Sequence, residues 1–361
     1  MTTYVANSVD SHVLEPDDLW VRRTPEKFHE RLPRVLKDEK WENVWIDGKM
    51  IRRDLLSFAE AMRPPGAYDF EARLVDLDGQ GVWTELLFPS RGVWLHYGDD
   101  PELVDIGFRA YNDWLREEVM SVSPRLQGAA GITHLSTEHA VAELHRCADL
   151  GFRACYMPVG YIEGRAWNEA VWDPLWAAAE EREMPLCFHC GSGTETKVAR
   201  GPGGAIINYV DLSAPIQRTL CQIIAAGVFD RYPALTVAMV EGGASWLPAI
   251  MDRMDEAFRQ HHSAVRPKLD RLPSEYVTSG QVFATFQHDP SIAATISVTG
   301  ATPIMFGTDY PHLEGTFPDT RKVITGLFEH VSPEDRQAIT IGNLTRILKL
   351  PEPPVDVAAA N

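Results

Sequence analysis

Residues 185–193 read PLCFHCGSG, a short apolar run that ends in a histidine and opens into a glycine-containing loop. An apolar run of this length is typical of a strand buried on both faces in a parallel sheet. A polar residue at the carboxyl end of such a strand occupies the position where barrel enzymes carry their catalytic groups. His189 is therefore predicted to face a functional site.

The same alternation of a short apolar run and a helical stretch recurs along the chain. It predicts βαβ units and a parallel sheet, and eight such runs predict an α/β fold, a closed (β/α)8 TIM barrel. The predicted strands are 4–9, 83–88, 126–132, 154–157, 186–189, 236–240, 282–286 and 304–306. Helical patterns between them cover 101–122, 137–150, 173–183, 213–229 and 246–262.

One long segment interrupts this rhythm. Residues 1–350 are predicted to form a single barrel domain, and residues 15–81, charged and rich in tryptophan, form an insertion after strand one. That position places the insertion on the catalytic face, as a lid, as a subunit contact or as a merely packed excursion. The tail, 351–361, is rich in proline and then in small residues, which indicates a surface strap or disorder.

Composition excludes several classes of function. The 361 residues carry a formal net charge of −17, which argues against a nucleic-acid partner because phosphates require a basic face. No run of 18 apolar residues could span a bilayer and the first residues lack a secretory pattern, so we expect a cytoplasmic protein without a membrane partner. Five cysteines are expected to be reduced thiols, and zinc binding by the CFHC segment lacks a second ligand pair.

Three predicted strand ends carry residues of types that commonly bind metal ions. Asp10 and His12 lie two apart on strand one, so both side chains point to the same side of the sheet. His189 ends strand five, and Asp309 follows the run PIMFGT on strand eight. Imidazole and carboxylate ligands of this kind suit Zn²⁺, Mn²⁺ or Fe²⁺, and they leave room for a water molecule.

The motifs VDSHVLEP, PLCFHCGSG, VEGGASWLP, MFGTDYPH and GNLTRILKL together resemble the amidohydrolase superfamily. The similar branch includes aminocarboxymuconate semialdehyde decarboxylase and γ-resorcylate decarboxylase. The resemblance implies a (β/α)8 barrel with a divalent metal at its C-terminal face. By position, Asp10 and His12 match the ligand pair of strand one, His189 the ligand of strand five and Asp309 the carboxylate of strand eight.

The chain departs from this branch at three points. Strand one carries Asp-x-His where His-x-His or Glu-x-His is common, which leaves the identity of the metal open. Glu241 stands where the decarboxylases have a histidine on strand six. Strand four reads ACYMP without a lysine, which excludes a dinuclear centre bridged by a carbamylated lysine.

Two further residues enlarge the ligand set. Glu241 is interpreted as a general base, an outer-sphere acceptor or a metal ligand, and His312 as an acid/base or a metal ligand. Glu15 either completes the set or begins the insertion. With Asp10, His12, His189 and Asp309 the candidates number six, more than one ion with an open position requires, so the hypothesis includes one ion or two.

The leading hypothesis is a metal-dependent hydrolase that acts on a small carboxylated or cyclic compound through a metal-activated water. Asp309 would take the proton, and Glu241 or His312 would deliver it to the leaving group. The alternatives are a non-oxidative decarboxylase of an aromatic or muconate-type acid, a dinuclear iron or manganese O₂-dependent hydroxylase on the same fold, and a non-catalytic partner subunit.

Contacts with the substrate and with other chains follow from weaker signals. Arg91, at the end of strand two, is a candidate partner for a substrate carboxylate, and Trp246 and Phe286 are candidates for an apolar wall. A small molecule is the expected partner. The barrel itself is expected to form a homo-oligomer, or to pair with a related barrel subunit.

Overall fold

The fold was analysed in a computed structural model that describes residues 4–160, 165–193 and 199–354. Within these residues the strands, numbered in chain order, are β1 (Ala6–Val13), β2 (Arg34–Lys37), β3 (Trp41–Ile46), β4 (Lys49–Leu55), β5 (Val82–Pro89), β6 (Leu126–Gly131), β7 (Ala154–Pro158), β8 (Leu186–His189), β9 (Val237–Val240), β10 (Val282–Phe286) and β11 (Ile304–Phe306). Eight of the described strands form one parallel sheet in the order β1-β5-β6-β7-β8-β9-β10-β11. The predicted (β/α)8 barrel is confirmed.

The described α-helices lie around this barrel and in the segment between its first two strands. They are α1 (Leu19–Arg23), α2 (Leu56–Ala61), α3 (Phe70–Gln80), α4 (Pro101–Trp114), α5 (Thr137–Asp149), α6 (Asp173–Glu181), α7 (Gly204–Asp211), α8 (Ser213–Ala225), α9 (Val228–Arg231), α10 (Leu247–Gln260), α11 (Pro273–Thr278), α12 (Ile292–Thr299), α13 (Thr320–Leu327), α14 (Pro333–Gln337) and α15 (Asn343–Ile347). None of the described helices is long and apolar enough to cross a membrane. Residues 355–361, most of the predicted tail, lie outside the described residues.

The first strand is longer than predicted. The sequence places its end near residue 9, whereas β1 continues to Val13 and all eight of its residues are buried. The extension occurs because the polar residues 10–12 pair with neighbouring strands: Ser11 and His12 lie beside Leu87 and Phe88 of β5. Asp10 and His12 are consequently held inside a rigid strand rather than in a loop.

The first and last strands close the barrel through hydrogen bonds between their carboxyl ends. The Ser8 hydroxyl accepts the Thr308 N–H at 2.8 Å, and the Asp309 N–H donates to the Asp10 carbonyl at the same distance. Gly307 allows this approach, because a Cβ atom at that position would lie 2.6 Å from the Cβ of Asp10. Closure therefore brings the carboxyl ends of the two strands into contact.

The segment between β1 and β5 contains a second, smaller sheet. Its strands β2, β3 and β4 make an antiparallel sheet, and α2 follows directly. Helix α3 then leads back to the barrel, with Asp69 capping its first N–H groups and Gly81 ending it in the left-handed conformation. The capped helix fixes the point where the excursion returns to the barrel wall.

A buried ion pair fastens this segment to the barrel. The Arg73 guanidinium, on α3, donates to the Glu85 carboxylate at 2.6 and 3.2 Å, and both side chains are fully buried. The same guanidinium donates to the carbonyls of His12 and Gly66 and lies 4.7 Å from the Tyr310 ring. Arg73 thus holds the backbone of β1 at one of the candidate ligands.

We predict that Arg73→Met destabilises the protein by about 3 to 5 kcal/mol, because it leaves the Glu85 carboxylate buried without a partner. Urea unfolding followed by circular dichroism measures the change. Arg253→Ala is the matched control: it removes an exposed pair with Glu256 and should change the stability by less than about 1 kcal/mol. Equal losses in the two variants would contradict the role assigned to Arg73.

Candidate metal centre and active-site cavity

His12 presents a free nitrogen to two carboxylates. Its Nδ1 lies 3.1 Å from the Pro89 carbonyl, so the Nδ1 proton is donated there and Nε2 carries a lone pair. Nε2 lies 3.6 Å from Asp10 Oδ1 and 3.5 Å from Asp309 Oδ1. A lone pair opposite carboxylate oxygens is repulsive unless a cation or a proton lies between them.

His189 repeats this arrangement on β8. Its Nδ1 lies 2.9 Å from the Cys190 carbonyl, which fixes the ring in the same tautomer. Its Nε2 faces Asp10 Oδ1 at 3.3 Å. Two histidines on separate strands, each oriented by a backbone carbonyl, thus point Nε2 at one small group of carboxylates.

Asp309 lies between these residues, directly after β11. Its backbone is in the left-handed conformation with φ of 52°, and its side chain is fully buried. The Gln287 amide donates to Oδ2 at 3.5 Å, a long contact. Gln287 was not singled out from the sequence, although it lies two residues after the inward-facing Thr285 and so shares its face.

The buried atoms of this cluster lack partners. Among the described residues, Asp10 Oδ2, His12 Nε2, Asp309 Oδ1 and His312 Nδ1 are buried without a hydrogen bond. Burial, and then the charges of Asp10 and Glu314, raise the pKa of Asp309 well above its usual value. These orphaned atoms fit a divalent cation, which would satisfy the lone pairs and compensate the carboxylates.

Glu241 and His312 adjoin the same cluster. Glu241 follows β9 with φ of 63°, and its N–H donates to the Thr285 hydroxyl at 2.9 Å. Burial, followed by the Asp309 charge, raises the pKa of Glu241 to about 8. His312 stacks on His12 with ring centroids 4.1 Å apart, and its Nδ1 lies 2.8 Å from Asp309 Oδ1 without the geometry of a hydrogen bond.

Glu314 belongs to this group as well, although the sequence did not single it out. One ligand atom from each of Glu241, Asp309, His312 and Glu314 lies within 4.8 Å of the others. The spacing D-x-x-H-x-E after β11 was the available signal. Glu314 was missed because the alternation of inward and outward side chains applies to strands and not to loops.

The sequence left open whether Glu15 is a metal ligand, and its carboxylate lies outside the metal cluster. Its carboxylate accepts the N–H groups of Arg91 at 2.9 Å and Gly92 at 2.7 Å and is almost fully buried. Its oxygens therefore cap the turn after β5, away from the metal cluster. Arg91 is held in turn, since its guanidinium donates to the Glu15 carbonyl and pairs with Asp17.

The two aromatic candidates do not reach the cavity. Phe286 is fully buried on the outer side of the barrel wall, against Phe306 and Phe328. It faces outward because its neighbour Thr285 faces inward, and consecutive strand residues alternate. Trp246 is the residue just before α10, and its indole N–H donates to the Gly243 carbonyl at 2.7 Å.

A cavity of about 230 Å³ lies above the cluster. Its floor includes His12, His189, Glu241, His312 and Glu314, and Arg91 lies on its rim. The opposite wall comes from the excursion between β1 and β5, which contributes apolar and charged side chains. They are Val35, Glu42, Val44, Arg52, Asp54, Phe58, Ala59, Met62 and Arg63.

Comparison of the sequence with protein families agrees with this geometry. A family model for amidohydrolases matches residues 88–350, more than half of the chain. The chain belongs to the amidohydrolase family. It is therefore an enzyme of the amidohydrolase superfamily, and the resemblance stated from the motifs is confirmed.

Individual relatives of this amidohydrolase are decarboxylases. The γ-resorcylate decarboxylase of Polaromonas sp. is 24% identical over 299 residues, covering 78% of this chain and 88% of that protein. The 2-amino-3-carboxymuconate-6-semialdehyde decarboxylase of Dictyostelium discoideum is 22% identical over 274 residues, covering 74% and 71%. The chain therefore matches these enzymes over most of its length.

Solved structures share the fold. An amidohydrolase of Mycobacterium avium superposes with a TM-score of 0.81 at 22% identity, covering 96% of this chain and 99% of that one. The 5-carboxyvanillate decarboxylase of Novosphingobium aromaticivorans, complexed with manganese and a nitrobenzoic acid, gives 0.69 at 20% identity and covers 96% of each chain. At this identity the likeness establishes the barrel alone.

We predict that binding of Mn²⁺ to the metal-free protein strengthens as the pH rises from 6 to 8. The Glu241 carboxyl beside the cluster has a pKa of about 8 and holds a proton over most of that range, and a nearby cation favours its ionised form. Each displaced proton steepens the dependence of the dissociation constant by about tenfold per pH unit. Calorimetric titration in buffers of different ionisation enthalpy measures the affinity and the proton release. An affinity independent of pH would contradict the prediction.

Proposed function

We propose that this amidohydrolase is a metal-dependent, non-oxidative decarboxylase of a small aromatic or similarly conjugated acid. The observation that carries the proposal is the convergence of two histidine lone pairs and buried carboxylates on the floor of a small cavity. Among its described atoms, His12 Nε2, Asp10 Oδ2 and Asp309 Oδ1 have no hydrogen-bond partner, so a cation can satisfy them. The relatives that are named as decarboxylases favour loss of CO₂ as its use.

The metal ligands in this proposal are Asp10, His12 and His189, and Asp309 lies beside them as the candidate acid. Manganese is the first candidate, because a similar solved decarboxylase contains it. A divalent cation held there would supply positive charge to the oxygens of the substrate. The carbonyls of Pro89 and Cys190 hold the two imidazole rings through Nδ1. The backbone thereby fixes the direction in which both Nε2 atoms point.

Asp309 is proposed to provide the proton. Decarboxylation breaks the bond between the carboxylate and its carbon, the electron pair stays on that carbon, and a proton must be added there as CO₂ departs. A carboxyl group can act as this acid only if it retains its proton near neutral pH. Burial and neighbouring carboxylates favour the protonated form of Asp309.

The cavity suits a small planar anion. Leu14, Val93 and Trp94 provide apolar surface beside the floor. Arg52 and Arg63 line the wall opposite, paired with Asp54 and Glu42 respectively. A ring would pack between the apolar side chains. A carboxylate or hydroxyl at its far end would contact the arginines of these ion pairs.

The hydrolase that the sequence puts first is less well supported. The two curated relatives matched over most of the chain are named as carboxy-lyases, and neither is named as a hydrolase. Glu241 in place of the histidine of strand six was the argument against decarboxylation. That argument weakens if Asp309 supplies the proton, because Glu241 then has no obligatory part in the transfer.

We predict that the manganese-loaded enzyme releases ¹³CO₂ from at least one carboxyl-labelled acid in a panel of dihydroxybenzoates and 5-carboxyvanillate. In D₂O, the product should carry deuterium at the carbon that lost the carboxylate. Asp309→Asn should lower kcat by about 100-fold or more, since it removes the acid. Asp319→Asn, an exposed position near the same loop, is the control and should leave the rate unchanged.

Other outcomes of this assay would replace the proposal. Incorporation of ¹⁸O from labelled water without CO₂ would restore the hydrolase. Uptake of O₂ coupled to a hydroxylated product would favour the oxygenase. Full activity of Asp309→Asn would remove Asp309 as the proton donor even if CO₂ is released.

A further inference from the structure

Helix α7 exposes apolar side chains where a surface helix normally exposes charged ones. Ile206, Ile207, Tyr209 and Val210 are 53 to 73% exposed, and Gly204 is the buried residue of this helix. The helix carries no charged residue before its last position. Single exposed apolar residues are common on proteins, but a group of adjoining ones marks a surface that contacts an apolar partner.

Helix α10 shows the usual pattern for comparison. Its exposed positions include Asp252, Arg253, Glu256 and Arg259. A charged outer face of this kind is expected of a helix that packs one side on the barrel and turns the other to water. The apolar surface of α7 is therefore a local feature and does not follow from the fold.

Helix α7 ends at the wall of the active-site cavity. Leu212, the residue that follows the helix, lines that cavity. Tyr209 lies one helical turn earlier on a neighbouring row. Partial burial, and then the charges of Glu314 and Glu241, raise the pKa of Tyr209 to about 12, so its ring lies within electrostatic reach of the cavity floor. The apolar surface of α7 thus begins where the cavity opens.

Two other elements bring apolar side chains to the same cavity. Leu313 is exposed, and it lies between His312 and Glu314, which both line the cavity. Phe58 of α2 lines the cavity and is also exposed. With Leu212, these residues give the cavity exposed or half-buried apolar surface from three separate parts of the chain. A ligand that extends out of the cavity would meet this surface first.

We propose that the substrate carries an apolar chain, and that α7 and Leu313 bind this chain where it leaves the cavity. The inference rests on the proposed decarboxylase function and names its substrate class, a carboxylated ring with an alkyl substituent. The ring would occupy the cavity of about 230 Å³, and the chain would lie along the eight residues of α7, about 12 Å of helix. Contact would remove apolar surface of both the chain and the helix from water.

The continuity of α7 with the cavity favours a substrate over a second copy of the protein as the occupant of this surface. Leu212 belongs to the cavity wall and Tyr209 lies one turn away, so the apolar surface has no gap between the floor and the helix. A contact between copies would need no such connection to the active site.

A homologous series of acids tests the proposal. The series consists of dihydroxybenzoates that carry a methyl, propyl, pentyl or heptyl group beside the carboxylate. We expect kcat/KM to rise about twofold per added methylene, half the effect of full burial on a logarithmic scale, because one side of the chain stays in water. Ile206→Ser and Tyr209→Ser should each lower the heptyl-to-methyl ratio of kcat/KM by about threefold or more. Tyr68→Ser, a similarly exposed tyrosine that does not line the cavity, is the matched control and should keep the ratio.

A binding measurement separates this inference from the decarboxylase proposal. The ligands are alkylated nitroresorcinols, whose nitro group stands in for the carboxylate and cannot leave as CO₂. Calorimetric titration of the manganese-loaded protein should show an affinity that rises with chain length and a heat-capacity change that becomes more negative. If this dependence is seen but no acid loses CO₂, the chain site stands and the decarboxylase proposal fails. Turnover and affinity that are both independent of chain length would overturn the chain site alone.

Sedimentation velocity of the wild type and of both α7 variants tests the alternative occupant. A wild-type dimer that dissociates in Ile206→Ser and Tyr209→Ser, with an unchanged heptyl-to-methyl ratio, would assign α7 to contact between copies and overturn the proposal. An unchanged sedimentation coefficient with a lower ratio in both variants would support the proposal.

Discussion

The candidate site depends on the contact between the first and the last strand of the barrel. The two strands meet through the Ser8 and Thr308 hydroxyl cluster and through the hydrogen bond from the Asp309 N–H to the Asp10 carbonyl. Gly307 makes the contact possible because no side chain separates the strands. Without this closure, Asp10 and Asp309 would belong to opposite edges of an open sheet, and the two side chains could not contribute to one site.

That closure concentrates negative charge in a place with little solvent. Burial, and then the repulsion between the carboxylates, raises the pKa of Asp309 and of Glu241, so in the absence of a cation the protonated forms are favoured. The protein compensates another deeply buried acid differently, since Glu85 is paired with Arg73. A fixed arginine suits a structural acid, whereas an exchangeable ion suits acids that must also meet a substrate. The contrast separates the residues that hold the fold from those that serve chemistry.

Much of this architecture could be predicted from the sequence, because strand periodicity and strand-end polarity are local signals. The eight strands were located, and the strand-end residues Asp10, His189 and Asp309 follow from them. Other features depend on tertiary contacts. The outward direction of Phe286 follows only once Thr285 is known to face Glu241, and Glu314 lies in a loop without periodicity. The extension of β1 depends on its pairing with β5, which no local pattern encodes.

The excursion after β1 gives the cavity a roof that the barrel alone lacks. Its sheet and α2 supply the wall opposite the metal cluster, and on the floor His12 and His189 are only 3% and 2% exposed. Exclusion of water strengthens the attraction between a cation and an anionic substrate. It also favours chemistry that needs a proton from the protein over chemistry that consumes bulk water. A roofed site with a buried acid at its base therefore supports the proposed decarboxylation over hydrolysis.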